Sequence, residues 1–305
     1  MGTPLVTVIS VSYNHSRYIK ENLDSIKNQT YKNIQLIVGD DASSDNSAKV
    51  FQEWLQSNNY DAITNFHNIN TGLATMLNEC IELAEGKYVK IIASDDYLHP
   101  ESIENCVAAM EKSGDEYGMI FTDFWAIDNN NQSTELFLQY NSHNHFFNSD
   151  GSLKKDQLVK YNCIIAPTVL MRKDALISTG KYEPHILLED HDRWLRINEI
   201  KKILFINKKL AYYRVLPTSV TNTRNERMIE EDLYIRMKYD KTGINKSNLF
   251  HYISTKYRNS EKIPALIKNE YLQYPFRVKR LTFALKNNIS PFLYYLLLKF
   301  GKKIK

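Results

Sequence analysis

Gly86-Lys-Tyr-Val-Lys-Ile-Ile-Ala-Ser-Asp-Asp-Tyr97 is the stretch on which the reading of this chain turns. Val89 to Ile92 is a short, largely apolar and β-branched run, the form of a buried strand. It ends on Asp95-Asp96, two adjacent carboxylates where the strand emerges from its sheet. Like charges repel, so folding alone would not select this pair; a cation or a set of donors must offset the cost. In an open parallel sheet, ligands bind at the carboxyl ends of the strands. A solvated acidic turn is the alternative for this stretch taken alone, and the flanking sequence has to decide.

Working outward, Val6 to Val11 is an unbroken apolar run, as expected of a strand buried on both faces. A polar loop, Ser12-Tyr13-Asn14-His15-Ser16, leads to a helix with Ile19, Leu23 and Ile26 on one face. Ile34 to Val38 reads as a second strand, running into Gly39-Asp40-Asp41-Ala42-Ser43-Ser44-Asp45. Ser44 is the expected N-cap of a helix whose apolar face is Val50, Phe51, Trp54 and Leu55. Ile63 to Phe66 is a third strand, and Leu73 to Glu85 a helix burying Leu73, Met76, Leu77, Cys80, Ile81 and Ala84. A helix after Pro100 and a strand near Met119 to Phe124 follow the central strand.

Strand and helix alternating at this pace predict an α/β fold, a mostly parallel sheet with helices on both faces. Neither Gly-x-Gly-x-x-Gly nor the Gly-x-x-x-x-Gly-Lys-Ser/Thr phosphate loop is present, which demotes both common dinucleotide and P-loop readings. Residues 132–152 read as a loop or lid, Asn162 to Met171 as a strand pair or buried run, and Leu187 to Arg196 as a helix carrying three acids. Ile203 to Asn207 and Leu210 to Val215 read as two strands, and the chain beyond Arg224 as helical.

The chain has 305 residues, enough for one α/β domain with an appendage. Cys80, Cys106 and Cys163 are widely spaced in apolar patterns, which reads as buried thiols rather than a metal or disulfide set. No apolar run approaches the roughly 18 residues of a spanning helix, and the N-terminus reads as a strand rather than a signal peptide. The net charge of +4 hides an asymmetry. From Lys246 onward there are thirteen Lys and Arg against two Glu, so this part carries +11 and the rest −7.

Three acidic clusters follow apolar runs: Asp40-Asp41, Asp95-Asp96 and Glu189-Asp190. Two lie at strand ends on the same sheet edge, which suits a polyphosphate with its divalent cation. Each residue also has a plainer reading. Tyr13 could cap a helix start, Asp40-Asp41 could form an Asx-type turn, and Asp192 with Arg196 reads as an exposed ion pair. Trp194 and Leu195 read as core, and His15, His67, His143, His145 and His191 show no metal-ligand spacing.

The segment from Val8 to Ser47, the strand into Asp95-Asp96, LLEDHDRWLRI at Leu187–Ile197 and YYRVLPTSVTN at Tyr212–Asn222 together resemble the family 2 glycosyltransferases, which have the GT-A fold. The resemblance implies that Tyr13 stacks on a nucleotide base and that Asp41 accepts a hydrogen bond from a pyrimidine ring, with Asp40 nearby. It implies that Asp95 holds the ribose or sugar and Asp96 the metal, Mn²⁺ or Mg²⁺, with Asp95 beside it. Asp190 becomes the catalytic base with Glu189 beside it, and Arg214 and Ser219 reach the diphosphate. Two positions depart from the family pattern: Ala93, where members often have an acid, and Leu216, where many have a His.

The expected protein is therefore an inverting, metal-dependent transferase using a uridine diphosphate sugar. Residues 1–224 form its catalytic domain, with a donor half to about 124 and an acceptor half after it, and 225–305 a basic helical region. The resemblance points to a polyprenyl-diphosphate-linked glycan acceptor, in O-antigen or capsule synthesis, on the cytoplasmic face of the membrane. The tail from Arg277, basic residues among Leu, Phe and Tyr, reads as a surface anchor on anionic lipid or as helices packed on the body. No nucleic-acid-reading module accompanies its charge. A sugar-nucleotide nucleotidyltransferase and a non-catalytic sugar- or nucleotide-binding module are the alternatives.

Overall fold

The N-terminal apolar run forms β1 (Val6–Ser12), buried along its whole length. β2 (Ile34–Asp40) pairs with it in parallel, Ser12 opposite Asp40, and β3 (Ile63–Phe66) adds outside β2. α1 (Ile19–Lys27) and α2 (Ser47–Asn58) are the two crossovers that carry the chain outward in this direction. α3 (Leu73–Glu82) carries it back past β1 to β4 (Tyr88–Ala93), which pairs in parallel on the other side of β1. Right-handed crossovers running in opposite directions place their helices on opposite faces of the sheet. Gly39 on β2 shows how closely α3 lies: a Cβ there would meet Met76 Sδ at 2.6 Å.

The chain continues through β5 (Tyr97–Leu98), α4 (Ser102–Ser113), β6 (Tyr117–Ile127), α5 (Lys155–Lys160), β7 (Leu170–Arg172), α6 (Lys173–Ser178), α7 (Glu189–Ile200) and β8 (Lys202–Arg214). The eight strands lie in one sheet in the order β3-β2-β1-β4-β7-β6-β8-β5. The computed structural model describes residues 2–134, 146–216 and 226–300.

The α/β fold class read from the sequence is the one observed, with four differences of detail. β7 is antiparallel to both β4 and β6; three residues are too few to declare a period. The two strands expected at Ile203–Asn207 and Leu210–Val215 are one strand parallel to β6. Thr122 faces Ile206 but Asp123 faces Lys209, so a bulge on β8 absorbs the polar residues that looked like a break. α2 begins at Ser47 rather than after Ser44, whose N–H and hydroxyl both go to Asn14 Oδ1. α3 stops at Glu82, and its first residue, Leu73, is exposed.

Contacts divide the chain into two units, Met1–Lys155 with Cys163–Thr223, and Asp156–Asn162 with Arg224–Lys305. The second contains α8 (Glu226–Tyr239), α9 (Lys246–Arg258), α10 (Ala265–Gln273), α11 (Lys279–Lys286) and α12 (Pro291–Phe300). These helices have a core of their own, built on Met237, Leu249, Ile253, Ile267, Tyr271 and Leu281. Asp240 fixes the turn after α8 by accepting the N–H groups of Thr242, Gly243 and Asn245 and the Tyr274 hydroxyl. No described helix is long and apolar enough to cross a membrane. The three cysteines are free and buried.

Candidate active site

The parallel ladder brings three chain segments to one edge. Beyond the level at which Ser12 faces Asp40, the Asp41 N–H donates to Ser12 O at 3.1 Å and the Ser94 N–H to Val11 O at 2.9 Å. Tyr13, Asp41 and Asp95 therefore leave the sheet side by side. Asn14 takes a left-handed backbone (φ 61°), and its Oδ1 accepts the N–H groups of Ser44 (2.8 Å) and Asp45 (3.3 Å). The N–H groups of Asn14, His15 and Ser16 reach Ser43, Ser47 and Asp45 in return. The loop after β1 is thus stitched to the loop after β2, with Tyr13 left 50% exposed.

The adjacent Asp40 and Asp41 do different things. Asp40 bends onto its own loop, accepting the Ser43 N–H (2.9 Å) and hydroxyl (2.6 Å), which is the Asx-type turn. Asp41 reaches across to the loop before α3. Its Oδ1 accepts the Thr71 N–H at 2.8 Å and hydroxyl at 3.1 Å and faces His67 Nδ1 at 2.8 Å, while Oδ2 accepts the Gly72 N–H at 2.8 Å. Burial alone would push the Asp41 carboxyl up, but these donors outweigh it and hold it below the usual carboxylate range. The base-binding role expected of Asp41 thus falls on a carboxylate that is ionised and fixed.

Asp95-Asp96 follow β4 with a shared set of supports. Asn22, buried on α1, donates Nδ2–H to the carbonyls of Ala93 (3.2 Å) and Asp96 (2.8 Å). Asp96 is nearly buried, and its Oδ1 accepts the Arg214 N–H at 2.8 Å. Burial first, and the negative charge of Asp95 second, push the Asp96 carboxyl well above the usual range. Asp95 is the more open of the two and lies 3.7 Å from His15 Nδ1.

Arg214, for which a diphosphate contact is expected, is held by protein groups on three sides. Its guanidinium is 1% exposed and fully engaged in the wall of the site. Nε donates to Asp95 O at 2.8 Å, Nη1 to Asp128 O at 2.7 Å and Nη2 to Glu21 Oε2 at 2.7 Å, and the group stacks over Tyr18 at 4.5 Å. Ser219 lies outside the described residues. Of the two positions that depart from the family pattern, Ala93 is half-buried and Leu216 buried.

Glu189 and Asp190 open α7, where the helix dipole favours negative charge. Both are half-buried, and their charge is felt by the Tyr182 hydroxyl, which burial pushes far up. α7 is anchored by buried polar groups. Arg193 donates to Leu176 O, Thr179 Oγ1 and Gly180 O and lies 4.1 Å over the Tyr182 ring. Asp192 and Arg196, read as an exposed pair, form a buried one at 2.6 Å because Arg196 turns inward to the carbonyls of Thr179 and Lys181. Trp194 and Leu195 are core. Tyr182 exchanges both backbone hydrogen bonds with Asn78 of α3, so the helix that supports Asp41 also touches the loop that supports α7.

Asn22, His67, Glu21 and Asp128 were not singled out by the sequence. Asn22 carried one signal: it is a polar residue beside Leu23 on the buried stripe of α1.

Among the described residues, no group of three or more His, Cys, Asp or Glu forms a protein cage for a metal. The adjacent, poorly hydrated Asp95 and Asp96 instead suit a dication that completes its shell with phosphate oxygens and water.

The profile of a family described as Glycosyl transferase family 2 matches residues 7–179. An uncharacterized glycosyltransferase of Rickettsia typhi is 26% identical over 232 residues, 72% of this chain and 67% of its own. The structure of S. aureus TarS 1–349 in complex with UDP-GlcNAc superposes with a TM-score of 0.67 at 14% identity, over 98% of this chain and 92% of TarS 1–349. The mannosyltransferase PcManGT of Pyrobaculum calidifontis, in complex with GDP-Man and Mn²⁺, gives 0.54 at 15% identity, over 99% of this chain and 81% of its own.

Proposed function

Since the chain belongs to glycosyl transferase family 2, we propose that it moves a sugar from a uridine diphosphate donor to a hydroxyl of a lipid-linked glycan, with inversion at the anomeric carbon. The observation that carries the donor half is the strand register, which delivers Tyr13, Asp41 and Asp95-Asp96 to one sheet edge. Tyr13 offers an exposed ring for a base to stack on. Asp41, ionised and held by four donors, accepts from a base that presents a ring N–H and repels one that presents a lone pair. Solved neighbours with nucleotide sugars, and in one case Mn²⁺, support this reading of the fold.

Asp95 and Asp96 would hold Mg²⁺ or Mn²⁺, which supplies charge neutralisation for the departing diphosphate. Asp190, at the dipole-favoured start of α7, takes the proton of the attacking hydroxyl, with Glu189 beside it. Arg214 acts here as the brace of the acidic loop.

The acceptor we propose is a polyprenyl-diphosphate-linked glycan of O-antigen or capsule type, met at the inner face of the membrane. The basic helical unit would then lie against anionic lipid. Phe292 is 72% exposed, Leu293 and Tyr295 are each 48% exposed, and Lys299 shares their helix.

Asp190→Asn tests the assignment. Turnover should fall by roughly 10²–10⁴-fold while UDP-sugar affinity stays within a few-fold of wild type. Wild-type turnover would remove Asp190 from the role.

A further inference from the structure

His67 stands between two carboxylates. Its Nδ1 is 2.8 Å from Asp41 Oδ1 and its Nε2 is 2.6 Å from Glu79 Oε2. A neutral imidazole has one N–H and one lone pair, so it could satisfy only one of them and would turn a lone pair on the other. Only the doubly protonated ring donates to both. We propose that His67, as an imidazolium clamped between Asp41 and Glu79, is a positioning residue that fixes the Asp41 carboxylate for the nucleotide base. Donor affinity is then lost as the ring gives up its proton. The inference rests on the proposed donor site.

The surroundings of the ring are accounted for. Asp41 faces it from the end of β2 and Glu79 from α3; the neutral Thr71 hydroxyl lies 3.0 Å from Nδ1. Asn65 on β3 donates to Glu79 Oε2 at 2.9 Å and holds that carboxylate in place. Asp40 follows Gly39 on the same strand, but its carboxylate is turned onto Ser43. Asp41 Oδ1 is occupied by His67 and Thr71, whereas Oδ2 takes only the Gly72 N–H and keeps a lone pair for a ring N–H.

Burial works against charging the ring, but Glu79 and Asp41 outweigh it, and the His67 pKa is raised. The contribution of His67 is complete below its ordinary value of about 6.5 and is lost as pH rises through the raised one. Asp41, held low, keeps its charge until pH falls through its lowered value. The clamp therefore opens on the alkaline side as pH rises through the raised His67 value, and on the acid side as pH falls through the lowered Asp41 value.

The test uses the full chain, with UDP as probe, by calorimetry across the range from about pH 6 to about pH 9 that brackets a raised histidine. Nitrogen-15 NMR of the histidine rings is recorded alongside. Both His67 nitrogens should be protonated near neutral pH, and UDP affinity should fall on the alkaline limb. His67→Gln should weaken UDP binding by about tenfold, the size of one lost hydrogen bond to a charged group, and remove that limb. Glu79→Gln, which touches no proposed ligand, should move the limb to lower pH while leaving affinity at the acid end intact. A neutral His67 ring near neutral pH overturns the clamp, as does a folded His67→Gln protein with wild-type affinity and the same limb. Wild-type protein that binds no UDP at any pH overturns the donor reading instead, and the ring titration in wild type and Glu79→Gln still decides the clamp.

Discussion

Arg214 offers the sharpest test of the site, because two roles for it predict opposite results. As a diphosphate contact it would be dispensable for stability. As the brace seen here it ties three segments: the carbonyl of Asp95 in the acidic loop, the carbonyl of Asp128 after β6 and the carboxylate of Glu21 on α1. Arg214→Met keeps the stem and removes all three donors. Glu21 is 36% exposed, so water recovers its charge and that arm counts for little. The Asp95 carbonyl is left without a donor, at about 1–3 kcal/mol, whereas the Asp128 carbonyl keeps the Asn131 N–H at 3.2 Å, so the expected loss is about 1–3 kcal/mol. At about 2–4 °C per kcal/mol for a protein of this size class, the melting temperature should drop by about 5 °C. Differential scanning fluorimetry, with and without UDP and Mn²⁺, reads both quantities at once. Arg214→Lys should recover part of the stability, since an ammonium reaches one or two of the three acceptors but not all. If Arg214→Met melts within a degree of wild type while UDP no longer shifts it, the brace is wrong and the side chain belongs to the ligand.

Two further outcomes follow from other parts of the chain. Lys90 is buried on β4 with Nζ donating to the carbonyls of Pro167 and Val169, and burial pushes its pKa down to about 8. The folded state therefore sheds this proton before the unfolded state does, so the Lys90 contribution to stability should rise between about pH 8 and about pH 10, where the unfolded side chain still binds its proton; Lys90→Met should melt lower and lack that rise in a comparison of melting against pH. On α12, Phe292→Ser with Leu293→Ser removes two exposed apolar side chains without touching the buried Tyr294. Flotation with vesicles rich in anionic lipid should fall severalfold, whereas unchanged flotation would count against this helix as a membrane contact.

The sheet edge proposed as the donor side was legible in the sequence because it is built by a ladder. Apolar runs with period and length fix the strands, and a parallel register carries their last residues to one edge without further information. Val6 to Val11 and Val89 to Ile92 needed only that logic. What the sequence could not show is which of two identical neighbours faces which partner. Asp40 and Asp41 look interchangeable on paper, yet one closes its own turn and the other crosses to Thr71 and Gly72. His67 was passed over for the same reason: its partners, Asp41 and Glu79, lie 26 and 12 residues away, and no local spacing announces them. The contacts of Arg214 were hidden because a motif records that an arginine is present, not which way its stem turns. β7 and the bulge on β8 escaped because they are short or irregular, and periodicity needs length.

The two proposed halves of the site are held by different physics, which explains where the buried charge lies. Tyr13, Asp41 and Asp95 inherit their positions from backbone hydrogen bonds of β1, β2 and β4, and the hydrophobic core under those strands does the rest. Glu189 and Asp190 stand at the start of a helix, with no ladder to fix them. α7 instead commits Arg193, Asp192 and Arg196, all largely buried, to the carbonyls and hydroxyl of residues 176–181 and to each other. Such groups add little net stability over apolar replacements, but each accepts only one arrangement of partners, and losing one leaves a buried charge uncompensated. They make the helix start specific rather than strong. α3 then touches both halves, its N-terminal Gly72 on Asp41 and its Asn78 on Tyr182. The helix that holds the Asp41 carboxylate in place thereby also limits where the proposed base can stand.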